Sequence, residues 1–306
     1  MLKGLIMKKQ LFLLAFCCLA APLHAQLRYA GSDTVEPVVD AARTAFSRSH
    51  PNFKLTISSV GTSSGLRELC TNRAFFVGAS RAIKPDETKE CERAGVTPIE
   101  VPVGLDAVVL VVSSKNTFVK DLSIDDVKSI YGPQATGKLT SWKALLATFP
   151  EQRLNAVGVG IKHGTFDFFH AAIGNGKFVR SDYKDTIQHD ETAKIVAADP
   201  GAIGYVPLSV AKDFASQLRI VPINFGEGPV EPSEQSIRSG KYGTLSRTTY
   251  FYVNLPALIK AGGESHEFIK DLMTNLAKYV TFANMTTLSP QQYQESAKRV
   301  GLTRPN

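Results

Sequence analysis

Tyr29-Ala30-Gly31-Ser32-Asp33-Thr34-Val35-Glu36-Pro37 carries the pattern that decides the fold. A strand end gives way to a glycine and small polar residues, and an amphipathic helix follows. Val35, Val38, Val39, Ala42 and Phe46 fall on one face of that helix. The change of pattern recurs twice. Val60-Gly61-Thr62-Ser63-Ser64-Gly65-Leu66 follows residues 53–60, which alternate apolar and polar as a strand does. Lys162-His163-Gly164-Thr165-Phe166-Asp167-Phe168-Phe169 follows a strand expected over 154–161. Further strands are expected at 74–78, 101–112, 202–206, 218–223 and 248–253. Helices are expected from a Ser123/Asp126 capping box through Ile130 and over 268–282. Strands alternating with helices predict an α/β fold with largely parallel sheets. Residues 226–232, rich in Gly and Pro, are expected to form a long surface connection.

The three turns also have a chemical meaning. Each presents free backbone N–H groups at a helix N-terminus together with side-chain hydroxyls, and the helix dipole adds a favourable field for negative charge. A fourth element, Gly78-Ala79-Ser80-Arg81, sets a guanidinium just after a strand end, where its planar fork suits an oxyanion.

The chain has 306 residues, is 43% hydrophobic and 21% charged, and has four cysteines and a net charge of +7. That apolar fraction excludes a disordered chain, and the length suggests about two domains. Lys8 and Lys9 precede an apolar stretch of about a dozen residues and Ala25, the pattern of a cleavable leader over residues 1–25, although Leu23 before the cleavage point is not small. Met7 opens a more typical leader than Met1. Phe16 before Cys17 argues against lipidation. Cleavage removes Lys3, Lys8 and Lys9, so 32 basic residues face 28 acidic ones, a mild +4. Basic residues are scattered among acidic ones, and no nucleic-acid binding is expected. Cys17 and Cys18 go with the leader. In an oxidising compartment Cys70 and Cys91 either pair or stay free; their spacing does not decide.

Taken in order, Gly31-Ser32-Asp33-Thr34, Gly61-Thr62-Ser63-Ser64-Gly65 and Gly78-Ala79-Ser80-Arg81 resemble the PstS family, the periplasmic phosphate-binding proteins of ABC importers. Val103-Gly104-Leu105-Asp106-Ala107-Val108-Val109-Leu110 and Gly201-Ala202-Ile203-Gly204-Tyr205-Val206 continue the likeness, as do residues 232–242 and Leu245-Ser246-Arg247. The resemblance implies two Rossmann-like α/β lobes joined by two crossing hinge strands, a type II periplasmic binding protein. Lobe 1 would comprise residues 26–106 and 250–306, and lobe 2 residues 107–249. Asp106 would lie near the first crossing, and residues 248–253 near the second. Ligand would sit between the lobes and close them. Ser32, Asp33, Thr34, Thr62, Ser63, Ser80 and Arg81 would bind it from lobe 1, and Gly164 and Thr165 from lobe 2. The implied role is that of a periplasmic monomer without cofactor or catalytic activity. It would capture inorganic phosphate for an inner-membrane ABC permease.

His163 departs from the family, which usually has Ser there and an Arg a few residues earlier. His163 either donates to the oxyanion or faces solvent, and the departure leaves room for another oxyanion or a phosphorylated compound. Asp33 beside an anion makes sense if the ligand carries a proton that the carboxylate accepts. Sulfate has none at neutral pH and is repelled.

Two motifs point elsewhere. Gly61-Thr62-Ser63-Ser64-Gly65 fits the G-x-S-x-G pattern of a secreted serine hydrolase, with Ser63 as nucleophile and His163, His189 or His266 as base. It comes too early in the chain for that fold, and no preceding His-Gly-Gly segment accompanies it. Gly132-Pro133-Gln134-Ala135-Thr136-Gly137-Lys138-Leu139 approaches a phosphate-binding P-loop, but Leu139 replaces the Ser or Thr that would hold Mg²⁺, and a helix precedes it. The cysteines and six histidines show no metal-ligand spacing, so no metal is expected.

Overall fold

The computed structural model describes residues 27–176 and 178–301; the leader expected at 1–25 lies outside them. The first elements are β1 (Leu27–Gly31), α1 (Glu36–Phe46), β2 (Leu55–Ser58), α2 (Thr62–Cys70), β3 (Phe76–Ala79), α3 (Pro85–Arg93) and β4 (Ile99–Ser113). Then follow β5 (Leu122–Ser123), α4 (Ile124–Tyr131), α5 (Trp142–Leu145), β6 (Asn155–Val159), α6 (Gly164–Ala172), β7 (Lys184–Thr186), α7 (His189–Ala198), β8 (Ala202–Pro207), α8 (Leu208–Asp213) and β9 (Leu218–Val221). Beyond them come β10 (Ile223–Asn224), β11 (Pro229–Val230), α9 (Glu234–Arg238), β12 (Ser246–Val253), α10 (Leu255–Ala261), α11 (Gly263–Thr274), α12 (Leu276–Phe282) and α13 (Pro290–Arg299).

The strand β4 organises the molecule. Its first half pairs with β12, and at Val108 it changes partners to β8, with β9 joining from Leu110. The core divides at the same place. Val101 and Val103 pack with Leu27, Tyr29, Phe76, Phe251 and Phe268, whereas residues 107–112 pack with Tyr131, Trp142, Phe169 and Tyr205. Each of these buried aromatic and aliphatic side chains contributes about 1.5–3 kcal/mol. Two lobes therefore share one continuous strand, and β12 provides the second crossing.

Parallel pairing holds on the flanks, β2-β1-β3 in one lobe and β7-β6-β8 in the other. The two crossing strands are antiparallel to each other and to their neighbours β3, β8 and β9. The sheet is thus more mixed than the sequence pattern suggests, because the chain passes between the lobes in opposite directions. Residues 246–249, read from sequence as the end of lobe 2, already pair with β4 over residues 104–107.

Local expectations explain the rest. Val38, Val39, Ala42 and Phe46 are the buried face of α1. Ser123 and Asp126 make the expected capping box: Ser123 N–H donates to Asp126 at 2.9 Å and Asp126 N–H to Ser123 Oγ at 3.0 Å. The helix expected over 268–282 breaks at Asn275, whose amide donates to the Asp271 carbonyl and carboxylate at 3.2 and 2.8 Å and competes with helix continuation. The connection over 226–232 contains β11, paired antiparallel to β10.

Candidate anion-binding site

The three turns meet where the lobes touch. β1 runs into Gly31 at φ +131°, and a Cβ there would lie 2.2 Å from the Gly78 carbonyl oxygen, so only glycine fits. Ser32, Asp33 and Thr34 form a turn ahead of α1 rather than its first turn. The Ser32 carbonyl accepts from Val35 and Glu36 N–H, and Ser32 Oγ accepts from Thr34 N–H at 3.1 Å. α2 starts at Thr62, whose Oγ1 accepts the Ser80 N–H at 3.1 Å and lies 3.2 Å from Ser80 Oγ. His163 caps α6. A Cβ on Gly164 would lie 2.4 Å from Thr62 Oγ1 and 2.7 Å from Ser80 Oγ, so lobe 2 closes directly onto lobe 1 here. The first-turn amides of α2 and α6 have no intrahelical acceptor, and both dipoles favour negative charge. Ser32, Thr34, Thr62, Ser80 and Thr165 are all buried.

Two arginines serve the cleft differently. Arg81 donates through Nε to Asp167 at 3.1 Å, through Nη1 to the Ala82 carbonyl and Glu87 at 3.0 and 2.8 Å, and through Nη2 to Ser63 Oγ and Glu87 at 2.8 and 2.7 Å. Its five N–H groups are all engaged, so in the closed cleft it has none to give an anion. Together with Lys84, which contacts Asp167 at 2.7 Å, it ties lobe 1 to α6 of lobe 2. Ser63 is likewise held by Arg81.

Arg247, at the second crossing, was not among the binding residues read from sequence. Its Nε and Nη2 donate to Asp106 Oδ2 at 3.1 and 2.9 Å, and Nη2 also reaches Thr165 Oγ1 at 3.0 Å and Thr34 Oγ1 at 3.4 Å. It therefore touches both lobes and the hinge. Its Nη1 is buried and has no hydrogen-bond partner among the described residues. The usable sequence signal was an arginine in a strand of hydroxyl and aromatic residues that closes on Val253.

Asp33 is the matching acceptor. Both carboxylate oxygens are buried without a hydrogen-bond partner among the described residues. Burial raises its pKa, but His189 and His163 outweigh this and hold the carboxyl down at about 2. His163 Nδ1 and His189 Nε2 lie 3.7 and 3.6 Å from Asp33 Oδ1. Burial opposes charge on His163, yet Asp33 lifts its pKa above the ordinary histidine value. Deeper burial drives His189 down to about 4 despite Asp33. His163 is therefore a cleft residue, buried rather than facing solvent. His189 also lies 3.1 Å from Thr165 Oγ1 and enters the site from the start of α7.

The hydrolase reading fails on geometry. Ser63 Oγ is hydrogen-bonded by Arg81, and no histidine is among its hydrogen-bond partners. The P-loop-like segment follows α4 as a short 3₁₀ turn. Cys70, the last residue of α2, is disulfide-bonded to Cys91 of α3, which fixes α2 to the helix carrying Glu87.

The chain is similar to known proteins over most of its length. Residues 20–283 match the model of the PBP superfamily domain. The phosphate-binding protein PstS of Staphylococcus epidermidis is 30% identical over 244 residues, covering 78% of this chain and 72% of that protein. Protein SphX of Synechococcus elongatus is 29% identical over 270 residues, covering 88% and 79%. Among solved structures, one described as a possible phosphate binding protein from Planctomyces limnophilus is 28% identical with TM-score 0.65, covering 90% of this chain and 97% of that one. An ABC-type phosphate transport receptor from Vibrio cholerae, 18% identical with TM-score 0.64, covers 86% and 100% and has the same fold. The chain therefore belongs to the PBP superfamily and, within it, to the PstS family of phosphate-binding proteins.

Proposed function

We propose that this protein captures inorganic phosphate between its lobes on the periplasmic side of the inner membrane and delivers it to an ABC permease, binding without catalysis. One observation carries the ligand: a buried ionised carboxylate, Asp33, and a buried guanidinium N–H, Arg247 Nη1, both lack hydrogen-bond partners among the described residues. The carboxylate only accepts and the guanidinium only donates. Phosphate still carrying a proton satisfies both, and the free amides of α2 and α6 take its other oxygens. Sulfate brings no proton at neutral pH and leaves Asp33 facing a second anion. Hydrogen bonds to charged groups contribute roughly 1.5–3 kcal/mol each, so a handful suffices for micromolar binding, about −8 kcal/mol. The names of the PstS relatives and of the phosphate transport receptor support the same role. Calorimetric titration of the purified protein should show heat with phosphate and none with sulfate. Equal affinity for both would overturn the assignment to phosphate.

A further inference from the structure

Asp33, His163 and His189 are 130 and 26 residues apart in the chain, so no sequence spacing unites them. Closure of the lobes does. One donor atom from each lies within 4.8 Å of the others, the one such cluster among the described residues. The Asp33 Oδ1 to imidazole distances are 3.7 and 3.6 Å. Tetrahedral zinc, with bonds of about 2.0–2.1 Å, sets neighbouring donors about 3.3–3.4 Å apart, so the two Asp33 distances need a shift of a few tenths of an ångström, and the imidazole pair, within 4.8 Å, draws together by up to about 1.5 Å. Both imidazoles are buried, at 7% and 2% exposure, and neither Asp33 oxygen has a protein hydrogen bond.

Charge points the same way. Asp33 and Asp106 are negative and Arg247 positive. Two carboxylates therefore face one guanidinium before any anion enters. Beside it lies a cavity of about 650 Å³ lined by Asp33 and His189 together with Glu36, Asp40, Asp190 and Asp213, and by no lysine or arginine among the described residues. That surface gathers cations and repels anions. It gives a metal ion an approach to Asp33 and His189.

We propose that Asp33 Oδ1, His163 Nδ1 and His189 Nε2 form a divalent transition-metal site, suited to Zn²⁺, that assembles as the lobes close and leaves its fourth position for an oxygen of the bound anion. One carboxylate and two imidazoles are a borderline donor set that favours zinc over magnesium or calcium. Asp33 Oδ2 remains to accept the ligand's proton. Thr165, now 3.1 Å from His189 Nε2, keeps Arg247 Nη2 as its donor when the imidazole turns to the metal. The ion adds two positive charges beside the bound anion, and by linkage each ligand tightens the other by the same factor. Only this fourth position rests on the phosphate reading.

The test uses protein stripped with EDTA and titrated with zinc chloride in phosphate-free buffer. One zinc should bind per chain, and His189→Gln and His163→Ser should each weaken it at least roughly tenfold while melting cooperatively. No binding at about 100 μM zinc, or zinc affinity unchanged in both variants, overturns the site. Equilibrium dialysis of labelled inorganic phosphate at micromolar zinc and in EDTA then tests the coupling. Affinity roughly tenfold tighter with zinc is expected. Equal affinity in both overturns the coupling. Zinc binding without phosphate binding in either condition upholds the metal site and removes the phosphate reading instead.

Discussion

Arg81 and Arg247 both reach across the interlobe cleft, and their surroundings are opposite. Arg81 has two carboxylates, a hydroxyl and a backbone carbonyl, one acceptor for every N–H. Arg247 shares one carboxylate and leaves Nη1 buried and unpaired among the described residues. A guanidinium with all its donors engaged fastens structure; one in the cleft with a buried donor left over still has an N–H to give. The same contrast separates their carboxylates. Glu87 and Asp167 are consumed by Arg81 and Lys84, whereas neither Asp33 carboxylate oxygen has a hydrogen-bond partner among the described residues.

The most severe test of this contrast exchanges each guanidinium for an ammonium. Arg247→Lys keeps a charge beside Asp106, so the buried pair is not left uncompensated. It removes the fork that reaches Asp106, Thr165 and the ligand together. Phosphate affinity should fall about a hundredfold, equivalent to about 2.7 kcal/mol. Arg81→Lys should cost less than about tenfold, because no ligand contact is lost. Calorimetry on both variants decides, and a larger loss at Arg81 would reverse the assignment of the two residues.

Why the sequence favoured Arg81 is a matter of range. A guanidinium after a strand end is visible locally, but the acceptors that consume it lie 6 and 86 positions away. The partner of Arg247 is 141 positions away, on the other crossing strand. Strand and helix periodicity are local properties, so the alternation, the buried face of α1 and the long run of β4 could be read directly. The hydroxyl and glycine turns were legible for the same reason, since Gly31 and Gly61 need backbone conformations that side chains resist. Lobe closure is not local. It brings Gly164 onto Thr62 and Ser80, and it alone assembles Asp33 with His163 and His189. The break at Asn275 was missed because helical periodicity continues through it while the Asn275 side chain, bonded to the Asp271 carbonyl and carboxylate, ends the helix.

A second prediction concerns the unpaired carboxylate. Asp33→Asn keeps the shape and replaces an obligate acceptor with a group that can also donate. Phosphate affinity should drop about tenfold, and sulfate, which the native protein is expected to reject, should bind measurably. The ratio of the two affinities is the informative quantity. A variant that still rejects sulfate would remove Asp33 from the discrimination and leave it with the imidazoles alone.

The smallest effect is expected at the satisfied network. Asp167→Asn keeps the side-chain volume but discharges the acceptor shared by Arg81 and Lys84, the contact that holds α6 against lobe 1. Arg81 retains Glu87, so no buried charge is left alone. Only the preference for the closed state weakens, and apparent phosphate affinity scales with the fraction of molecules able to close. Asp167 and Arg81 are about one-tenth exposed but Lys84 is 38% exposed, so salt screens part of the interaction. A two- to fivefold loss of affinity, about 0.4–1 kcal/mol, is expected at low salt. The gap between variant and native protein should narrow as salt rises, because the native protein loses the same contact to screening. A hundredfold loss, or a gap that salt leaves untouched, would mean that the Arg81 network contacts the ligand, and the contrast between the two arginines would not stand.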